Sequence, residues 1–328
     1  MLTGTDINKA AALLREGKLV VFPTETVYGL GANAMNALAV ARVFALKERP
    51  NFDPLIVHIS SLDQIEGLFL APIDPQVYVL AKAFWPGPLT IVYLKQAEVP
   101  DLITSGLDTV AVRMPSHPIA LELIRKAGVP VAAPSANKFG CLSPTQAAHV
   151  IKQNMHPDYI LDGGSTHLGI ESTVVSVSDD GVRILRYGAI TEEMLSAHVK
   201  VITDKAADGD HLPHAPGMLK SHYAPRKPLY ILDSVDNLDL PEGSGLIIGS
   251  ALKTGLVSPI VVRSLSQNGD LNEMAVNLFA VLHQMEDDPM VKQIYFEAIP
   301  EIGIGKAIMD RARKAAYSYL KTDEDKEV

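Results

Sequence analysis

The sequence predicts an α/β fold built on a mixed, twisted sheet, followed by a second and smaller α/β domain. Short β-rich runs alternate with helical patterns as far as about residue 200. The alternation lapses between 203 and 226, where Gly, Pro and Asp accumulate without an apolar period, and then resumes. A chain of 328 residues also exceeds one average domain. We therefore predict a first domain over 1–202, a linker over 203–226 and a second domain over 227–328.

Local signals predict the elements of the first domain. Residues 6–15 are typical of a helix, with a polar start and Gly17 as a stop. Residues 118–127 predict a helix that ends at Gly128. Another helix is expected to begin at 143–144, because serine suits the N-cap and proline the first helical position. The predicted strands are 19–22, 55–59, 89–94, 110–114, 129–133, 173–178 and 182–186.

The second domain repeats the same alternation over roughly one hundred residues, which is an ordinary domain size. The predicted strands are 229–232, 245–248, 260–262 and 293–297, and the predicted helices are 271–285 and 304–320. The charged residues 322–328 are expected to form a frayed tail.

Composition limits the classes of protein to consider. A hydrophobic content of 47% with 20% charged residues is typical of a globular chain. The net charge of −9 argues against tight, nonspecific binding to duplex nucleic acid, although a few local cations can still bind a small anion. A single cysteine, Cys141, excludes an internal disulfide framework and fits a reducing compartment. With no apolar run near the roughly 20 residues of a membrane span, we expect a cytoplasmic protein.

The most informative segment is 22–31, Phe-Pro-Thr-Glu-Thr-Val-Tyr-Gly-Leu-Gly, which follows a buried strand pattern. It collects Thr24, Glu25, Thr26 and Tyr28, and its two glycines are expected to permit tight turns. Polar groups at the carboxyl end of a strand in an open α/β sheet are where ligands usually bind. An ordinary turn is the alternative interpretation.

Cations follow two further elements. Lys47 and Arg49 come after a helical pattern over 39–46, and they are either a solvated helix end or an anion site. Arg113 alternates with apolar residues on a strand, and Asp108 is the only carboxylate near it in sequence. A buried arginine needs an anionic partner, so we expect an anionic ligand there. His58, within an apolar strand, is either a satisfied core group or a cleft ligand.

Small hydroxyl and amide groups complete the pattern, and several familiar motifs are absent. No P-loop, Rossmann glycine fingerprint, Gly-x-Ser-x-Gly elbow or zinc spacing occurs. His211 and His214 resemble a metal cluster, but a solvated loop is the stronger interpretation, and no protein metal site is predicted. Hydroxyls and cations without a nucleophile suit carboxylate and polyphosphate recognition, where catalysis is positioning and charge stabilisation. The polar candidates at strand ends are Ser135, Asn137, Ser143, Glu171, Ser172, Thr173 and Arg186.

Motifs along the whole chain resemble those of the YrdC/Sua5 family, in its long, two-domain form. They are Pro23-Thr-Glu-Thr-Val-Tyr-Gly-Leu-Gly31, Lys47-x-Arg-Pro50, Pro54-Leu-Ile-Val-His58, Trp85-Pro-Gly-Pro-Leu-Thr90, Val112-Arg-Met-Pro115, Pro134-Ser-Ala-Asn137, Ser143-Pro-Thr145, Gly169-x-Glu-Ser-Thr173, Ala215-Pro-Gly-Met218, His222-Tyr-Ala-Pro225 and Gly303-Ile-Gly-x-Ala-Ile-Met309. The resemblance implies a YrdC-like mixed sheet and a Rossmann-like second domain.

The resemblance also implies a reaction. Such proteins are nucleotidyltransferases that make L-threonylcarbamoyl-AMP from L-threonine, bicarbonate and ATP and release pyrophosphate, with Mg²⁺ on the phosphates. The adenylate passes to the tRNA threonylcarbamoyl-transfer machinery for the t6A modification at adenosine 37. The linker would then serve as a lid.

Carried over residue by residue, the resemblance assigns two ligand sets. The threonine set is Thr26, His58, Arg113, Ala133 and Ser172. The ATP set is Lys47, Arg49, Asp53, Thr109, Ser135, Asn137, Ser143, Arg186, His222 and Tyr223, with Lys47 and Arg49 as the catalytic cations. The sequence departs from the family pattern at Asp53 (often asparagine), at Tyr187 (usually proline) and over 219–221.

Two alternatives stay open from the sequence. An RNA-binding or ribosome-associated module of the same fold would need a basic face, against which the acidic balance counts. Carbamoyl transfer to another acceptor is the third hypothesis, but the related domains sit in zinc-finger chains, whose cysteine pattern is absent here.

Overall fold

The computed structural model of the chain describes residues 2–202, 217, 219, 221–235, 238–251 and 261–324. It divides into two compact units. The first comprises the described residues within Met1–Phe139, Pro144–His167 and Glu171–Met218, and the second those within Gly140–Ser143, Leu168–Ile170 and Leu219–Val328. Most of the predicted linker, including 203–216, lies outside the described residues, as do His211 and His214. The predicted domain limits therefore stay a prediction.

The first unit is built on the mixed α/β sheet that the sequence predicts. Its strands are β1 (Thr3–Gly4), β2 (Val20–Phe22), β3 (Gly29–Asn33), β4 (Ile56–His58), β5 (Leu89–Leu94), β6 (Thr109–Arg113), β7 (Val131–Ala132), β8 (Tyr159–Leu161), β9 (Thr173–Ser178), β10 (Gly181–Arg186) and β11 (Val201–Ile202). They are ordered β1-β8-β2-β3-β7-β4-β6-β5-β9-β10-β11. β4 runs parallel to β6, β5 runs antiparallel to β6, and β9 runs parallel to β5.

Short helices accompany this sheet, and capping residues fix several of their ends. The helices are α1 (Ile7–Arg15), α2 (Ala37–Lys47), α3 (Pro75–Phe84), α4 (Asp101–Thr104), α5 (Pro118–Ala127), α6 (Ala147–Ile151) and α7 (Glu192–Ser196), with a 3₁₀ turn over Leu62–Gly67. Asp6 caps α1 by accepting the Lys9 N–H at 3.0 Å. α5 ends at Gly128 with φ of 68°, the left-handed conformation that glycine tolerates. Both predicted helices are confirmed.

The two faces of the sheet are covered differently. On the first face Val57, Ile91 and Val112 belong to a large core that includes side chains of α2 and α3. On the second face, Phe22 and Val131 pack with α1 and α5. Further along the second face lies a small cluster that consists of strand residues alone: Ile56, Val92, Ala111, Val174 and Leu185. Because side chains alternate along a strand, polar residues two positions from these lie on the same face.

The predicted helix at Ser143 and Pro144 is wrong. The helix of this region, α6, begins at Ala147, with Gln146 at its N-cap. The Pro144 carbonyl accepts the Tyr28 N–H at 2.8 Å, and the Thr145 carbonyl accepts the Thr166 N–H at 3.0 Å. These long-range bonds use the carbonyls that a first helical turn needs, so no helix forms at 143–146.

The glycines of 22–31 do not form the expected tight turns. Gly29 and Gly31 both lie within β3, which pairs antiparallel with β2. A Cβ atom on Gly31 would lie 2.7 Å from Phe22 Cε1 and 2.9 Å from Val131 Cγ1. Glycine is needed here because neighbouring side chains cross over the strand at this point.

The second unit is a smaller α/β domain, as predicted. Its parallel strands are β12 (Leu229–Leu232), β13 (Ser244–Ile248), β14 (Val261–Ser264) and β15 (Gln293–Glu297), in the order β12-β15-β13-β14. Its helices are α8 (Leu271–Asp287) and α9 (Gly305–Glu324). Asp270 caps α8 by accepting the N–H groups of Asn272 and Glu273. Within the described part of both units, no helix is long and apolar enough to cross a membrane.

The close contacts at Gly31 predict a loss of stability on substitution. Gly31→Ala is expected to lower the free energy of unfolding by about 1–3 kcal/mol, because the new methyl group must displace a ring and a valine. Gly67→Ala is the matched control, since a Cβ there has nothing within 4 Å, and it should change stability by less than about 0.5 kcal/mol. Urea denaturation of both variants measures this, and equal midpoints would contradict the packing argument.

Candidate active site

Strand register places the predicted residues of the sheet on its second face. His58 of β4 pairs with Arg113 of β6, and paired residues share a face. Thr90 and Arg186 both pair with Val174 of the strand cluster on that face. Thr109 lies on the same face but four residues before Arg113, about 13 Å away along the strand. The sheet therefore carries polar groups around a small apolar floor.

Arg113 is the centre of one end of this site. It is buried, and its Nη2 lies 2.6 Å from Glu25 Oε1. Nη1 donates to Thr26 Oγ1 at 2.9 Å, and Nε donates to the Gly87 carbonyl at 3.3 Å. The carboxylate partner of Arg113 is not the nearby Asp108 but Glu25, which comes from the loop between β2 and β3, 88 residues away in sequence. The anionic ligand expected at Arg113 stays a prediction.

The loop that carries Glu25 and Thr26 is held by its own polar residues. Thr24 Oγ1 donates to the Val27 carbonyl at 2.6 Å and accepts the N–H groups of Thr26 and Val27 at 3.2 Å. Tyr28 donates its hydroxyl proton to the Gly164 carbonyl at 2.6 Å, and burial raises its pKa to about 12. Thr24 and Tyr28 shape the loop, while Glu25 and Thr26 face Arg113.

Burial and charge set the ionisation of this end. Burial alone would raise the pKa of Glu25, but the charge and hydrogen bond of Arg113 outweigh it, and the pKa is lowered. For His58, burial and then the positive charge of Arg113 lower the pKa to about 3, so the imidazole is neutral near pH 7. His58 Nδ1 has no hydrogen-bond partner among the residues that the structure describes. A neutral ring with an orphan nitrogen suits a ligand hydroxyl or amide.

Ser172 makes hydrogen bonds with Thr90 of β5 and with Arg186 of β10. Its hydroxyl lies 2.8 Å from Thr90 Oγ1, and Arg186 Nη2 donates to the Ser172 carbonyl at 2.9 Å and to its Oγ at 3.1 Å. Ala133 follows β7, and its N–H donates to the Ile56 carbonyl at 2.9 Å. All these residues are buried in the first unit.

Lys47 and Arg49 are not a solvated helix end, and that interpretation is wrong. Both are buried, while Glu48 between them is exposed and pairs with Lys138 at 2.6 Å. Lys47 Nζ donates to the carbonyls of Ser135 at 2.6 Å and Asn137 at 2.5 Å. α2 ends at Glu48 in the left-handed conformation, with φ of 54°, so the chain turns there.

Arg49 and Asp53 form a second buried ion pair. Arg49 donates to the carbonyls of Asp53 at 3.0 Å and Pro54 at 2.9 Å, and its Nη2 lies 2.8 Å from Asp53 Oδ1. That contact is outside hydrogen-bond alignment, and neither Asp53 carboxylate oxygen accepts a hydrogen bond within the described part of the chain. Burial raises the pKa of Asp53, although the charges of Arg49, Lys47 and Arg186 lower it.

Three of the predicted ATP residues, Ser143, His222 and Tyr223, lie in the second unit. Ser143 is buried, and its carbonyl lies 3.1 Å from His283 Nε2. The His222 N–H donates to the Lys314 carbonyl at 3.2 Å, and the Tyr223 ring lies 5.4 Å from the Arg311 guanidinium. Of the segment 215–221, positions 217, 219 and 221 alone are described. The ligand roles of these residues stay predictions, like those of the first unit.

Sequence reasoning missed two polar residues near this site, Thr90 and His117, and left the role of Glu25 open between a ligand site and a turn. Thr90 entered only as the end of a motif. His117 caps α5 by accepting the Ile119 N–H on Nδ1 at 3.2 Å. Burial lowers the pKa of His117, although the negative charge of Glu25 acts to raise it. The sequence signal for His117 was its place before Pro118, the first helical residue.

Two family models match the chain. Residues 12–188 match the Sua5–YciO–YrdC model, which is described as "Telomere recombination". Residues 190–317 match a model described as "Threonylcarbamoyl-AMP synthase, C-terminal domain". Together they span nearly all of both units.

Relatives and a solved structure resemble the chain over its length. The threonylcarbamoyl-AMP synthase of Bacillus subtilis strain 168 is 43% identical over 322 residues, which are 94% of this chain and 92% of the relative. The threonylcarbamoyl-AMP synthase of Pyrococcus abyssi is 42% identical and covers 94% of each chain. The crystal structure of P. abyssi Sua5 complexed with L-threonine has a TM-score of 0.83 at 38% identity, over 96% of this chain and 97% of that one.

The lowered pKa of His58 predicts an acid-sensitive fold. The unfolded imidazole takes a proton near pH 6.5 and the folded one only near 3, so the unfolded state binds more protons between these values. The contribution of the neutral His58 to the free energy of unfolding is complete above pH 6.5. Below pH 6.5 it falls by about 1.4 kcal/mol per pH unit. The stability difference between the parent and His58→Gln should therefore shift by about 2 kcal/mol between pH 6.5 and pH 5.

Urea denaturation at the two pH values measures this shift. The matched control is His156→Gln, which removes an exposed imidazole instead of a buried one. A His58→Gln difference that does not change with pH would contradict the buried, neutral state.

Proposed function

Because this chain belongs to the Sua5–YciO–YrdC family, we propose that it condenses L-threonine, bicarbonate and ATP into L-threonylcarbamoyl-AMP and releases pyrophosphate. It is an enzyme that makes an adenylate, and we assign it to the nucleotidyltransferases. The observation that supports this most is the set of buried cations in one unit: Arg113 beside neutral His58, and Lys47 with Arg49 near Asp53. One group suits a carboxylate and the other a polyphosphate.

Arg113 is proposed to bind the threonine carboxylate. Its contacts with Glu25, Thr26 and Gly87 use three of its five N–H groups, which leaves donors for a ligand. Thr26, neutral His58, Ala133 and Ser172 would hold the rest of the amino acid. The amine, once deprotonated, attacks the bicarbonate carbon, and loss of water gives the carbamate.

The second step is attack of a carbamate oxygen on the α-phosphorus of ATP, with cleavage of the bond to pyrophosphate. Charge spreads over the phosphate oxygens, and fixed cations stabilise it without reorganisation. Lys47 is proposed to act here because two backbone carbonyls hold its ammonium in place. Arg49 and Arg186 would add positive charge, and Thr109, Ser135 and Asn137 polar contacts.

ATP is a substrate of this enzyme, and we propose that Mg²⁺ accompanies it. The described residues contain no group of three or more His, Cys, Asp or Glu that could hold a metal by themselves. Mg²⁺ usually needs only one or two carboxylates besides substrate phosphates. Asp53 fits this role because it is fully buried and neither of its carboxylate oxygens accepts a hydrogen bond from a residue that the structure describes. The ion would neutralise the triphosphate beside that carboxylate.

The product is proposed to pass to the tRNA threonylcarbamoyl-transfer machinery of the cytoplasm for t6A modification. An RNA-binding module is not favoured, since the cations of this site are buried rather than spread over a basic surface. His222, Tyr223 and Ser143 of the second unit stay proposed ATP ligands, and the proposed lid over 203–226 lies mostly outside the described residues.

The reaction predicts a double requirement for pyrophosphate release. Purified protein with ATP and Mg²⁺ should release pyrophosphate at a substantial rate only when both L-threonine and bicarbonate are present, because the carbamate is the nucleophile. A coupled pyrophosphate assay, with mass spectrometry of the adenylate, measures this. Strong release without threonine would contradict the proposal.

Arg113 predicts a selective effect on threonine. Arg113→Ala should raise the KM for threonine at least about 100-fold, because it loses one or two charge-assisted hydrogen bonds of about 1.5–3 kcal/mol each. The KM for ATP should change less than about threefold, since Lys47 and Arg49 are untouched. Arg125→Ala, on the exposed side of α5, is the control.

Arg113→Lys separates charge from geometry. It keeps the positive charge but loses the planar fork, so it should restore little of the threonine response. Steady-state kinetics of variants with a parent-like circular dichroism spectrum give the answer. An unchanged KM for threonine would overturn the assignment.

A further inference from the structure

The two carboxylate oxygens of Glu25 differ: one is paired with Arg113, and the other has no hydrogen-bond partner among the described residues. Oε1 lies 2.6 Å from Arg113 Nη2. Oε2 accepts no hydrogen bond from any described residue. It is also shielded from water, because the Glu25 side chain is only 6% exposed. Backbone N–H groups of Glu25 and Ser116 come near enough to lower its pKa, but neither makes a hydrogen bond to Oε2. A buried, unsatisfied carboxylate oxygen is costly, so it calls for a donor from a ligand.

The Glu25–Arg113 pair matches a free α-amino acid in charge. Glu25 supplies a buried anion, one of whose oxygens accepts no hydrogen bond from a described residue. Arg113 supplies a buried cation, and its contacts with Glu25, Thr26 and Gly87 use three of its five N–H groups. An α-amino acid carries a carboxylate, which complements Arg113, and an ammonium group, which complements Glu25.

The ionisation of Glu25 decides what it can do. Its pKa is lowered, chiefly because Arg113 outweighs the effect of burial, so it is a charged acceptor and a poor base at neutral pH. An acceptor of this kind holds an N–H donor and does not remove its proton. The carbamate nitrogen keeps one N–H, so the contact can persist after the first chemical step.

We propose that Glu25 Oε2 accepts a hydrogen bond from the α-ammonium group of the substrate and so restricts this pocket to free α-amino acids. The inference rests on the proposed function for the identity of the amino acid. Glu25 is then a specificity-determining residue, besides its contact with Arg113.

Two ligands separate this role from a purely structural one. L-Threonine carries the ammonium group, whereas (R)-3-hydroxybutanoate keeps the carboxylate, hydroxyl and methyl groups and lacks it. We expect the parent to bind threonine at least 30-fold more tightly than 3-hydroxybutanoate in calorimetric titration or competition. Glu25→Gln should reduce this preference at least tenfold. Glu122→Gln, the exposed partner of Lys126, should leave it unchanged.

Each outcome bears on a separate claim. If Glu25 only orients Arg113, Glu25→Gln weakens both ligands equally and the preference stays, which overturns the proposal. If Glu25→Gln does not fold, the parent alone decides, since equal affinity for the two ligands also overturns it. Glu25→Asp, which keeps the charge, should retain part of the preference. A parent that does not bind threonine contradicts the proposed function itself.

Discussion

The buried ion pair between Glu25 and Arg113 is the contact on which one half of the site depends. It fastens the loop after β2 to the end of β6, and Thr26 receives a second hydrogen bond from the same guanidinium. Removing one partner of such a pair leaves an uncompensated buried charge, which costs far more than the pair gains. The loop conformation, the charge near His58 and the place of Thr26 therefore depend on both residues together.

The other half of the site holds its cations in a different way. Lys47 is anchored by two backbone carbonyls, and Arg49 by two carbonyls and the Asp53 carboxylate. Carbonyl dipoles fix a cation without adding a full negative charge beside it, whereas the Asp53 carboxylate also offsets the charge of Arg49. A chain with a net charge of −9 thus still buries several cations in the first unit.

Local signals predicted much of the fold, and long-range contacts limited the rest. Asp6 and Gly128 mark the ends of helices because capping needs only neighbouring residues. Alternation along β6 placed Arg113 correctly among apolar residues. The helix expected at Ser143 failed because Tyr28, far away in sequence, uses the Pro144 carbonyl. The partner of Arg113 was missed for the same reason, and the burial of Lys47 depends on a left-handed residue at Glu48.

The hydrogen bonds from Arg186 to Ser172 link the two proposed ligand sets, because Ser172 belongs to the threonine set and Arg186 to the nucleotide set. A ligand that binds Ser172 competes with its hydrogen bonds to Arg186, and a ligand that binds Arg186 competes with the same bonds. Linkage then requires reciprocity, so whatever factor threonine contributes to nucleotide affinity, the nucleotide returns to threonine. Substrate synergy in such a site would be carried by a single shared serine.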